Sequence, residues 1–331
     1  MRWRVCGIII PLSMLLNMKS CWTITDEFPG MKSQVIGLAE AIGLPAVHKT
    51  CKRRWPWGWL GLPWGNPLDQ LTPQSDPLTP PWPDLVITCG RRSAPLALAI
   101  KKQNQGKTVC VHIQNPFVNH KLFDLIIAPE HDNLKGPNVI STKGAIHKVT
   151  RQKIEEGLQT YGKLFQDLPR PYNSVLLGGS THRYSMTLEA MNELIKTILL
   201  IRDKTKGSVL VTPSFRTPFR DELKQALASE PNVFLADIEK INPYFAMLGA
   251  ADTLFVTDDS VNMLCEACYT GKPVYVLPLL GHGDAKSKRF INDLIEEGIV
   301  RSFDGSIENW TYAPFNDTEK VANIVRSRMN I

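Results

Sequence analysis

The stretch "TDDSVNMLCEACYTGKPVYVLPL" (257–279) decides how the chain is read. It follows an apolar run, "TLFV" (253–256), which the polar turn Asp258-Asp259-Ser260 ends. From Val261 the apolar residues recur at helical spacing, with Val261, Leu264, Cys265 and Cys268 on one stripe. Gly271 closes this helix and Pro273 begins a second apolar run. Strand, helix and strand at these lengths form a βαβ unit, and βαβ units build parallel sheets. Two chemistries compete for the helix. Cys265-x-x-Cys268 has the spacing of half a zinc or redox site, but neither a second cysteine pair nor a His-x-x-x-His follows. The thiols are therefore assigned to packing, with no metal. Asn262 and Glu266 are four apart and share a face away from the cysteines. Ser260 is expected to cap the helix. First-turn amides near Asp259 and Ser260 suit a phosphate, and a carboxylate one turn further in suits ribose hydroxyls. The plainer alternative is a capped βαβ unit with a surface glutamate.

The same alternation extends in both directions. "CWTIT" (21–25), "DLVITCG" (84–90), "KTVCVHI" (107–113), "FDLIIAP" (123–129) and "NVIST" (138–142) are strand-like, with helical patterns between several of them. A helix near 151–165 precedes "QDLPRPYN" (166–173), where two prolines and low apolar content suggest a boundary. A second series then runs through "SVLLGGS", "SVLVTPS", "NVFLAD" and "TLFVTDDS". The expected fold is α/β: two Rossmann-like, doubly wound parallel-sheet domains, 20–168 and 169–331, facing a cleft. Residues 1–19 form an extension outside it.

Open α/β sheets bind ligands at the carboxyl ends of their strands. Those positions carry Asp26 and Gly30, then Arg91 and Arg92, in the first half. In the second they carry Gly178, Gly179 and Ser180, then Ser214, Arg216 and Thr217, then Asp259, Ser260, Asn262 and Glu266. Glycines let backbone approach an anion, and an arginine clamps a diphosphate. GxGxxG, GxxxxGK[ST] and a nucleophile elbow are missing from the sequence, which argues against a standard dinucleotide fingerprint and a P-loop. "PEHD" (129–132) reads as a strand-end turn and "GHGD" (281–284) as a flexible loop.

At 43% hydrophobic and 21% charged, the 331 residues suit a globular protein of two domains. The net charge of +6 permits an anionic partner but is mild, and a nucleic-acid ligand is not expected. Seven cysteines without framework spacing fit a reducing cytoplasm. "MRWRVCGIIIPLSMLLNM" (1–18) imitates a signal peptide, yet Pro11 and Asn17 interrupt it, and Met18 is expected to open the folded unit. Residues 51–85 hold five of the eight tryptophans and eight of the 24 prolines, which forbids a regular element and predicts a long ordered loop.

Two resemblances emerge from these pieces. The glycine-rich strand end, the Asp/Ser-rich turn, the helix glutamate and the "G-x-P" that follows resemble GT-B glycosyltransferases and UDP-sugar 2-epimerases. In that layout the glutamate at the position of Glu266 binds the nucleotide ribose. More closely, "CGRRSAP", "FDLIIAPEHD", "STKGAIHKVT", "LLGGS", "SFRTP", "NPYFAMLGAAD" and "VTDDSVNMLCEA" resemble the elongated-mitochondria (ELM) fission family, usually placed with GT-B folds. The family's strand-end sequence is Ser-Arg-Arg-Thr-Pro. Here Phe215 replaces the first arginine, which leaves Arg216 as the clamp.

The resemblance implies a nucleoside-diphosphate sugar, a UDP-sugar foremost, in the second domain, with the last helix returning to the first. It implies a glycosyltransferase that needs neither cofactor nor metal, with Asp26 the candidate base. The Trp/Arg-rich loop (51–83) would rest on a membrane, peripherally at the inner membrane, and collect a lipid-linked acceptor. The alternative is a binding module that keeps the same site without catalysis and docks a protein through that loop.

Overall fold

The computed structural model describes residues 4–5, 8–9, 20–60, 65–181, 184–281 and 285–329. Arg4–Val5 pairs antiparallel with Ile8–Ile9. The remainder of the 1–19 extension, with the expected start at Met18, lies outside the described residues, as do 282–284 of the "GHGD" loop.

The chain divides into two compact units, 1–148 with 317–331, and 149–316. The first holds β1 (Cys21–Thr25), α1 (Pro29–Ile42), β2 (Ala46–Thr50), β3 (Leu85–Cys89), α2 (Ala94–Gln103), β4 (Val109–Ile113), β5 (Leu125–Pro129) and β6 (Val139–Thr142). Its six strands are parallel, in the order β2-β1-β3-β4-β5-β6. Alternate side chains of the strands go to opposite faces. Leu85, Ile87, Val111, Ile113, Leu125 and Ile127 pack with Val35, Leu38 and Ile42 of α1. Val86, Cys110 and Ile126 pack with Leu96, Ala97 and Ile100 of α2. Helices thus cover both faces.

The C-terminal helix, Asp317–Met329, belongs to this unit. Its Val321, Ala322 and Val325 enter the α1 side of the core. Its start is tied down by Asp317, whose carboxylate accepts from the amides of Lys143 (2.9 Å) and Gly144 (3.0 Å). Gly37 of α1 packs against the backbone of His147, where an added Cβ would lie 2.4 Å from the carbonyl oxygen.

The second unit holds α3 (Arg151–Tyr161), β7 (Tyr172–Leu177), α4 (Leu188–Thr205), β8 (Ser208–Pro213), α5 (Arg220–Leu227), β9 (Val233–Leu235), α6 (Tyr244–Ala250), β10 (Thr253–Thr257), α7 (Val261–Cys268), β11 (Val274–Leu277), α8 (Ala285–Glu296) and β12 (Arg301–Ser302). Its six parallel strands run β9-β8-β7-β10-β11-β12. Val175, Leu177, Val209, Val211 and Phe255 face α4, and Leu210 and Tyr172 face α6.

The units part between Lys148 and Val149, ahead of the proline-rich segment at which the sequence suggests a division. The reason is α3, which packs on α6: a Cβ on Gly157 would lie 2.8 Å from the Ala246 nitrogen, and one on Gly249 would lie 2.6 Å from Ile154.

The 51–83 excursion is anchored where it is described. The Asp76 carboxylate accepts from the Thr50 amide at 2.7 Å, Arg53 donates to the Gln70 side-chain oxygen at 2.5 Å, and Trp82 meets Trp22 edge-on. Trp55 stands 80% exposed, beside exposed Lys52 and Arg54.

Candidate functional site

Each sheet has a switch point, where neighbouring strands lead away in opposite directions and their carboxyl-end loops diverge. In the second unit this lies between β7 and β10. Gly178 and Gly179 follow β7, and Asp258, Asp259 and Ser260 follow β10. Asp259 organises the junction. Its side chain is fully buried, and it accepts from the Gly179 amide (2.9 Å), the Thr257 hydroxyl (2.7 Å) and the Arg216 guanidinium (3.0 Å). A buried carboxylate needs donors of this kind, and three converge on it. The Thr257 hydroxyl also accepts from the Gly178 amide at 2.7 Å.

Both glycines are demanded by close approach. A Cβ on Gly178 would sit 2.1 Å from an Asp259 oxygen, and one on Gly179 would sit 2.2 Å from the Arg216 carbonyl oxygen.

The loop after β8 locks on from the other side. Ser214 donates to the Gly178 carbonyl at 2.9 Å, and the Thr217 hydroxyl donates to the same oxygen. Arg216 spans the glycine turn, reaching the Ser180 carbonyl at 3.2 Å while about a third of its side chain stays exposed. Ser214 and Thr217 therefore shape the turn, and Arg216 offers a cation at its surface. The Ser180 hydroxyl accepts from the Met186 amide. Phe215 stands 68% exposed beside Arg216.

At α7 the structure changes one expectation and sets aside one alternative. Ser260 occupies the N-cap position, but its side chain makes no capping hydrogen bond, because its backbone has ψ 84 rather than a more extended cap conformation. Glu266 is not the surface glutamate of the plainer alternative: it is 6% exposed, and the Tyr244 hydroxyl donates to it at 2.6 Å. Burial, reinforced by this carboxylate, pushes the Tyr244 phenol well above its ordinary range, so the proton stays on the tyrosine. Asn262, one turn before Glu266, is half-buried. Cys265 and Cys268 are both fully buried, and burial pushes the Cys268 thiol up. Among the described residues no three His, Cys, Asp or Glu side chains are grouped to hold a metal ion.

The loop after β8 also borders a cavity of about 830 Å³. Pro213 and Thr217, Phe219 and Arg220 at the start of α5, and Ala236 to Glu239 after β9 line it.

The first unit's switch point lies between β1 and β3. Asp26 follows β1 and is 6% exposed, Gly30 lies in the first turn of α1, and Arg92 donates to Asp26 at 3.4 Å. Burial raises the Asp26 pKa, while the Phe28 amide and Arg92 oppose the rise. A raised pKa in the fold means that ionised Asp26 is held at a cost above the ordinary carboxylate pKa, and the cost is relieved by protonation. Asp26→Asn should therefore raise the melting temperature at pH 7. The gain should shrink as pH falls through the raised value and vanish below about pH 4. Thermal melts of both proteins from pH 4 to 8 check this; a lower melting temperature for the variant at pH 7 would mean that the Arg92 pair outweighs burial.

These geometries can be set beside known proteins. The family description "Mitochondrial fission ELM1" matches residues 29–329. The chain belongs to this family. An Arabidopsis thaliana relative, the mitochondrial fission protein ELM1, is 30% identical over 275 residues, covering 75% of this chain. The chain spans 64% of that plant protein's length.

Among solved structures, the Neisseria meningitidis UDP-GlcNAc 2-epimerase bound to UDP-GlcNAc superposes with TM-score 0.51 at 15% identity, covering 94% of this chain and 99% of that one. Os79 from O. sativa in complex with UDP gives 0.52 at 9% identity, covering 94% and 91%. At such identities the likeness establishes the fold alone: this ELM1-family chain holds two parallel-sheet α/β domains of the GT-B fold. No helix among its described residues is long and apolar enough to cross a membrane.

The structure brings Gly178, Gly179, Ser214, Arg216, Thr217 and Asp259 of the expected set together by direct bonds, and separately pairs Asp26 with Arg92. Sequence reading missed Thr257 and Tyr244. Thr257 looked like the last strand residue, and nothing in "NPYF" (242–245) ties its tyrosine to a glutamate 22 residues on.

Proposed function

We propose that the second unit binds a nucleoside-diphosphate sugar, a UDP-sugar foremost, and that the protein transfers the sugar to an acceptor. The observation that carries this reading is the Asp259 junction. It fixes a tight glycine turn and an arginine beside the start of α7, with Glu266 held by Tyr244 one turn further along that helix. In this reading the diphosphate lies on the α7 first-turn amides and Arg216, the ribose hydroxyls meet Glu266, and the cavity beside Thr217 takes the base. The UDP-GlcNAc and the UDP held by two structures that share this fold support the choice of nucleotide.

Bond cleavage at the sugar places growing negative charge on the diphosphate. A fixed guanidinium and helix amides stabilise that charge without reorganising, which is where such groups lower a barrier most. The roles proposed for them do not require a metal ion. Asp26, with its raised pKa, is the proposed base for the acceptor hydroxyl. Exposed Trp55 with Lys52 and Arg54 supports a peripheral membrane contact at the cytoplasmic face, through which a lipid-linked acceptor is collected. The same exposed tryptophan also supports the second reading, a non-catalytic module that docks a protein.

Thermal shift with a nucleotide panel separates the two. UDP or a UDP-sugar at a hundred times its Kd should stabilise by about 2.7 kcal/mol, and uridine by much less. A panel in which no nucleoside diphosphate moves the melting temperature would leave the docking reading in place.

A further inference from the structure

The first unit carries most of the molecule's positive charge. By sequence it holds 20 Lys and Arg against 11 Asp and Glu, whereas the second unit holds 18 against 21. Part of that excess stands at the switch point, with an unusual accompaniment. The loops after the adjacent strands β1, β3 and β4 present Phe28, then Arg91 and Arg92, then Phe117. Phe28 is 53% exposed and Phe117 69% exposed. The Arg92 guanidinium lies over the Phe28 ring at 5.8 Å, and that of Arg91 over the Phe117 ring at 5.9 Å. Phe117 is also held at φ 55, a left-handed conformation that a bulky residue rarely adopts. Adjacent strands are about 4.8 Å apart, so the three loops lie side by side.

From this edge we infer that the first unit binds an amphiphile carrying one phosphate group next to an apolar chain. The guanidiniums supply directed donors to a phosphate, and the two exposed rings give its apolar neighbour a surface to cover. The local charge limits the ligand. Lys32, Lys52, Arg91 and Arg92 stand against Asp26 and Glu27, with Lys52 paired to Glu27 at 3.4 Å, an excess of two charges, which suits one phosphate rather than a polyanionic strand. Arg92 is also held by Asp26 at 3.4 Å, and the phosphate contact is assigned to Arg91 and Arg92 together. The site stands on the first unit alone. Only its role as the acceptor site rests on the nucleotide reading above.

The test is calorimetric titration of the full chain with dihexanoyl phosphatidic acid below its micelle concentration, beside inorganic phosphate, a ten-residue oligothymidylate and UDP. Phosphatidic acid should bind at least tenfold more tightly than inorganic phosphate. Arg91→Ala and Phe117→Ala should each weaken it by about tenfold, Arg91→Lys by less, with UDP affinity unchanged in all three. Melting temperatures within a degree or so of wild type would confirm that the variants fold. Equal affinity for inorganic phosphate, indifference to both alanine variants, or tighter binding of the oligothymidylate would each overturn the proposal. Binding of phosphatidic acid without UDP would sink the nucleotide reading alone, and UDP binding without phosphatidic acid would sink this one.

Discussion

Asp259→Ala should destabilise the second unit by roughly 3 kcal/mol and weaken UDP binding by about 100-fold. Three donors converge on this fully buried carboxylate, and its removal leaves the Gly179 amide and the Thr257 hydroxyl without their acceptor. The stability figure is set near one or two charge-assisted hydrogen bonds. It is not higher because Arg216 is about a third exposed and recovers water when its partner goes. The affinity loss has a separate cause, since an untethered arginine no longer stands over the glycine turn. Asp259→Asn keeps the shape and two acceptor sites, so it should fall between the variant and wild type. Urea unfolding measures the first effect and calorimetry the second. An alanine variant that unfolds at the wild-type midpoint would show that the junction does not organise the loops.

Glu266→Gln should weaken UDP by about 10- to 150-fold and leave folding nearly intact. Hydrogen bonds to a charged group are worth roughly 1.5–3 kcal/mol, and the substitution removes the charge and one acceptor while keeping the volume. The Tyr244 hydroxyl can still donate to the amide oxygen, which is why the core around α7 should tolerate the change. Tyr244→Phe should give a smaller loss, because it removes one donor to the carboxylate and keeps the carboxylate itself. Calorimetry on both variants reads the order directly. Wild-type affinity in Glu266→Gln would take the ribose away from this residue.

The division into two parallel sheets was legible because strands such as "TLFVT" and "LVITC" are buried on both faces and therefore read as unbroken apolar runs. β2, "AVHKT", was not, because it is an edge strand whose residues are at most half-buried. α3 was visible as a helix, but which unit it joins depends on Gly157 and Gly249 meeting their partners closely, a tertiary fact without local signature. In the site, strand-end loops were legible from glycine, serine and arginine after apolar runs. What could not be read is direction. Asp259, Ser214 and Thr217 turn inward to build the turn, while Arg216 faces partly outward, and only the bonds at Gly178 and Gly179 show this. Spacing puts Glu266 on a face away from the cysteines but does not show its burial, which the Tyr244 hydroxyl of α6 makes possible.

Hydrogen–deuterium exchange of the full chain with and without saturating UDP tests the central claim most directly, because it reports where the nucleotide sits as well as whether it binds. The account predicts slowed exchange in peptides covering 177–181, 214–217 and 260–266, with the strand-end loops of the first unit at 26–30 and 90–93 unchanged. Protection confined to the first unit, or no protection anywhere at a UDP concentration well above millimolar, would contradict it.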